Sequence, residues 1–113
     1  MKQITAIIRP HRLDAVEAAL HALPHFPGFT VFPAFGHPRG HGHEHRFSDD
    51  EWKPDSHRQL TLIVFCASAD APGIVEAVVR AARTGNTGDG IVGITELIDV
   101  VRIRTGERAD TAV

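Results

Sequence analysis

The chain has 113 residues, 42% of them hydrophobic, and 12 Lys and Arg against 14 Asp and Glu give a formal charge of −2 with histidine neutral. That length holds one core, so a single domain over residues 1–113 is expected, and the hydrophobic share excludes global disorder. The balanced charge excludes a dedicated polyanion binder, so no nucleic-acid partner is expected. With one cysteine, Cys66, no internal disulfide forms, and a reducing cytoplasm is the simplest location. The opening Met1–Pro10 does not read as a signal peptide. No apolar run approaches the roughly 18 residues of a membrane span, so no membrane insertion is expected.

In chain order, residues 3–9 read as a strand, rich in β-branched Ile4, Thr5, Ile7 and Ile8 and closed by Pro10. Residues 12–23 read as a helix, because Leu13, Val16, Leu20 and Leu23 recur at three- and four-residue steps before Pro24. Residues 28–35 read as a second strand, with Pro33 placing it at an edge or a bulge. Residues 36–57 are dominated by Gly, Pro, His and charge, a long exposed loop. Residues 58–67 are apolar enough for a central strand. Residues 71–83 read as a helix with Asp70 as N-cap, Pro72 in the first turn and Ile74, Val75, Val78 and Val79 on one face. A glycine-rich turn, Thr84–Gly90, follows. Residues 91–98 and 99–104 read as strand, and 105–113 as a loose polar tail.

The order βαβ, long loop, βαβ predicts an α+β, ferredoxin-like fold: a four-stranded antiparallel sheet with two helices on one face, plus a short terminal strand. The opposite face is left uncovered, and apolar side chains on it predict self-association.

Three segments carry chemistry. Gly85, Gly88 and Gly90 permit backbone amides to form an anion-binding concavity, or equally a helix C-cap and tight turn. The segment is neither a P-loop nor a dinucleotide fingerprint, since no Lys-Ser or Lys-Thr follows and it leaves a helix rather than opening one. Arg102 and Arg104, two apart on a strand, would point to one side and suit phosphate oxygens, or form a solvated charged edge. In the loop, His41, His43 and His45 alternate on a glycine-rich backbone, a pattern that fits a transition metal or a solvated polar loop. Glu44 and His37 are further metal donors nearby. Cys66, inside an apolar strand, reads as core.

The chain resembles the PII nitrogen-regulatory signalling proteins over nearly its whole length. The resemblance rests on Ile4–Pro10 with Leu13–Val16, on Gly28–Val31, and above all on Ala81–Gly90 followed by Val101–Glu107. It implies a homotrimer with ATP or ADP in clefts between subunits and no catalysed reaction. It implies nucleotide-binding roles for Thr30, Gly36, Arg58, Gly85, Gly88, Asp89, Gly90, Arg102 and Arg104, with the two arginines reaching from a neighbouring subunit. It also implies that the loop at 36–57 is the exposed T-loop, which docks on a target protein such as a transporter, an enzyme or a metal-efflux system. Two departures stand out. Typical members carry Lys after the Gly-Asp-Gly turn, where this chain has Ile91, and a loop Gln where it has Gly40. The chain also has no Tyr, which excludes control by modification of a loop tyrosine. The alternative reading is a metal-binding or metal-sensing trimer built on the same fold.

Overall fold

The computed structural model of the chain describes residues 1–37 and 57–113. Four strands and two helices follow in the order β1 (Lys2–Ile8), α1 (Leu13–His21), β2 (Thr30–Phe35), β3 (Arg58–Cys66), α2 (Ala71–Ala82) and β4 (Gly90–Glu96). The strands lie in the order β2-β3-β1-β4, with each neighbouring pair antiparallel. This is the ferredoxin-like arrangement expected from the order of elements. β3 and β1 are central, and β2, with Pro33, is an edge strand, where a missing N–H costs no ladder bond.

Alternation divides the sheet. Ile4, Ala6 and Ile8 of β1 and Leu62, Val64 and Cys66 of β3 point to one face. There they are buried against Val16 and Leu20 of α1 and Ile74 and Val78 of α2. Burying each large aliphatic side chain stabilises the fold by about 1.5–3 kcal/mol. The other face carries Phe32, Ile63, Phe65, Ile7 and Ile91, interleaved with Thr5, Thr61 and Gln59. No helix among the described residues covers it, and Phe32, Phe65 and Ile91 are exposed.

Four local expectations change. The first helix is shorter than residues 12–23, because Pro10–Arg12 form a 3-10 turn ahead of α1. Asp70 makes no side-chain cap. It ends a 3-10 turn, Ser68–Asp70, in which Ala67 and Ser68 carbonyls already accept the amides of Asp70 and Ala71. No strand forms over 99–104. The chain reverses there, with the Arg102 amide donating to Glu107 (2.8 Å) and the Gly106 amide to Arg102 (2.8 Å). A single bridge, Val101 to Arg108, replaces the expected strand. The tail is correspondingly less loose than expected: Ala109–Ala112 form a 3-10 turn, and Ala112 is buried. Among the described residues no helix is long and apolar enough to cross a membrane.

Candidate functional site

α2 stops at Ala82, and Arg83 is already extended. The turn that follows is closed by one carboxylate. Asp89 accepts the amides of Thr84 (2.8 Å) and Gly85 (2.9 Å), the Thr84 hydroxyl, and the Arg9 Nε (3.3 Å). The Thr84 hydroxyl and amide, then the Gly85 amide and the Arg9 guanidinium, hold the Asp89 carboxyl well below the usual carboxylate range. Arg9 also donates through Nη2 to the Thr87 carbonyl.

Gly90 is required by space as well as by conformation, and Gly88 by conformation. At Gly90, φ is +107° and a Cβ would stand 1.8 Å from the Ile7 carbonyl oxygen. At Gly88, φ is +94° and a Cβ would meet the Arg9 Nη2 at 3.0 Å. Beside the turn is a hollow of about 190 Å³, bordered by Ile8, Val79, Ala82, Arg83, Asp89 and Ile91. Arg83 is exposed on its rim.

The remaining candidate residues fall elsewhere. Gly36 and Arg58 form the stem of the long loop: the Gly36 amide donates to the His57 carbonyl (3.0 Å), and Arg58 pairs with Phe35 at the end of the β2–β3 ladder. The stem lies at the same end of the sheet as the turn, because Ile8 of β1 pairs with both Leu60 and Gly90. Thr30 and Arg102 border a second hollow of about 350 Å³, together with Ile63, Phe65 and Val113. The Arg102 Nη2 donates to the Ala112 carbonyl at 3.0 Å. The two hollows share no bordering residue. Because 102–104 turn rather than extend, Arg102 and Arg104 do not share a strand face, and Arg104 is exposed in the turn.

Most of the histidine loop, including His41, His43, His45, Glu44 and Gly40, lies outside the described residues. Among the described residues no group of three or more His, Cys, Asp or Glu could hold a metal. Cys66 is buried in β3 as expected, and burial pushes its thiol pKa up, which makes it unreactive packing.

Sequence reasoning missed Arg9 and Arg12. Arg12 donates from Nε (3.0 Å) and Nη2 (2.7 Å) to the Ala81 carbonyl at the end of α2. Their partners lie 69 to 80 residues further along the chain, so no local pattern announces them. The only available signal was positional: two cations flanking Pro10, at the end of a strand that pairs with the start of β4.

A sequence model of the family described as nitrogen regulatory protein P-II matches residues 1–107. Among curated relatives, the nitrogen regulatory protein P-II of Azospirillum brasilense is 38% identical over 113 residues. That of Rhizobium meliloti (strain 1021) is 37% identical and that of Rhodospirillum rubrum 36% identical, and in each case the match spans the whole of both chains. Full-length identity at this level, joined to the ferredoxin-like sheet and the closed glycine turn, places the chain in the nitrogen regulatory protein P-II family, whose members are regulatory signal transducers and not enzymes.

Proposed function

We propose that this chain acts as a homotrimer that binds ATP or ADP between subunits and, according to which is bound, engages or releases a target protein through the loop at 36–57. One observation carries the reading. Asp89 and Gly90 of the glycine turn border one hollow with Arg83, and Thr30 with Arg102 borders another that shares no residue with it. Within one chain the two sets do not converge. A second copy, docked on the half-apolar sheet face that carries Ile7, Ile91 and Phe65, brings one chain's turn toward another's arginines.

Chemically the two halves are complementary. The turn's positive-φ glycines let a phosphate approach the backbone closely, and guanidinium groups fork onto phosphate oxygens. With Ile91 directly after the turn, the nearby positive charge is arginine: Arg9 and Arg83 from one chain, Arg102 and Arg104 from the other. Loop control follows if ATP and ADP bind the loop's alternative arrangements with different affinity, since a ligand shifts an equilibrium only by that difference. Gly36 and Arg58, at the loop stem and at the turn's end of the sheet, are the residues suited to pass the difference on.

Isothermal titration calorimetry tests the reading. ATP or ADP is expected to bind the parent chain, and Arg102→Ala to weaken binding about tenfold or more, the usual consequence of removing a charged hydrogen-bond donor. Equal binding by both proteins would remove Arg102 from the site. Absence of binding by the parent would reject the nucleotide reading.

A further inference from the structure

We propose that Arg9 and Arg12, on the corner between β1 and α1, are positioning residues for the 84–90 turn, Arg12 fixing where the chain approaches it and Arg9 where the chain leaves. The inference rests on the reading of that turn as a phosphate site.

Arg12 holds the approach. The last carbonyls of α2 have no partner within the helix, and the Arg12 guanidinium takes that of Ala81 with two donors, at 3.0 and 2.7 Å. Its charge also complements the negative end of the helix. The direction in which Arg83 and Thr84 depart is therefore set from the β1–α1 corner.

Arg9 holds the exit. Ile8 pairs with Gly90, so the sheet itself delivers Arg9 beneath Thr87–Asp89. One guanidinium then spans two acceptors, the Asp89 carboxylate and the Thr87 carbonyl. Gly88 leaves the room it occupies, since a Cβ there would stand 3.0 Å from Nη2. Asp89 in turn holds the amides of Thr84 and Gly85. A chain of contacts thus runs from Arg9 through Asp89 to the start of the turn.

Asp89 also places a negative charge where a polyphosphate would approach. Arg9 offsets that charge. Without Arg9 the carboxylate repels the ligand and the Thr87 carbonyl swings free. The cost of losing Arg9 must therefore rise with the number of phosphates, which a residue that merely supports the fold would not produce.

The test is calorimetry of AMP, ADP and ATP with the parent, Arg9→Gln, Arg12→Gln and Arg9→Lys. Arg9→Gln is expected to lose tenfold or more for ATP and clearly less for AMP, and Arg12→Gln severalfold for all three. Arg9→Lys keeps the charge but cannot fork between Asp89 and Thr87, so an intermediate loss for ATP is expected. It decides the question should Arg9→Gln not fold. Parental affinity in the Arg9 variants, or an equal loss for AMP and ATP, would overturn the role of Arg9, and parental affinity in Arg12→Gln that of Arg12. If the parent binds none of the nucleotides, the phosphate reading fails, and amide hydrogen exchange at Thr84 and Gly85 in the ligand-free chain decides the positioning claim. Faster exchange in Arg9→Gln upholds it, and unchanged exchange overturns it.

Discussion

Gly90 illustrates how much of the candidate site is set by single atoms. Its hydrogen stands where a Cβ would come within 1.8 Å of the Ile7 carbonyl, and its φ of +107° is foreign to other residues. Gly90→Ala is expected to destabilise the chain by about 2–4 kcal/mol, through strain and a forced separation of β1 from β4. Urea denaturation reads this as a lower midpoint with an unchanged slope. Asp89 gives a prediction in pH. Its folded pKa lies below the ordinary carboxylate value, chiefly through the Thr84 hydroxyl and amide. The unfolded chain therefore binds the proton more readily, and the stability Asp89 contributes is complete above about pH 4 and fades as pH falls through the folded value. Asp89→Asn should melt below the parent at pH 6, with the gap narrowing toward pH 2.5. A gap that widens in acid would contradict the carboxylate's role in closing the turn.

At the scale of elements, the two helices differ in how they use the core. α2 buries Ile74 and Val78 completely along with Ala71, Ala77 and Ala82, whereas α1 buries Val16 and Leu20. Ile74→Ala is expected to cost about 2–5 kcal/mol, and Glu76→Ala, on the exposed side of the same helix, less than about 0.5 kcal/mol. Thermal unfolding of the two variants checks the contrast. Both helices were legible because their apolar residues recur at helical spacing and face one core, and β1 and β3 because they are apolar and β-branched runs bounded by turn residues. Residues 99–104 carry a similar alternation and were misleading. Ile103 is fully exposed, so its pattern meets no surface among the described residues. The Gly106 backbone, at φ +75°, turns the segment back instead. Of the candidate site, the glycine turn was legible, because Gly85, Gly88 and Gly90 announce positive φ. Its tie to the corner arginines was not, since those bonds join Arg9 and Arg12 to residues 69 to 80 positions away.

For the whole molecule, the exposed Phe32, Phe65, Ile91, Ile94, Ile98 and Ile103 are more apolar surface than a small monomer ordinarily leaves in water. Sedimentation equilibrium at micromolar concentration is expected to return three copies per particle, and a stable monomer would contradict the proposed assembly. The central claim is that each nucleotide site is built by two chains, one giving the turn and the other Arg102. Mixed trimers test it most directly. Gly88→Val, which distorts the turn, and Arg102→Ala are each prepared alone and then co-expressed at equal level under separate tags. Each variant alone should bind ATP poorly. In the mixture, random assembly leaves about a quarter of the sites with an intact turn facing an intact arginine. Calorimetry should therefore recover roughly that fraction of sites at parental affinity. No recovery in trimers shown to contain both chains would contradict a site shared between subunits.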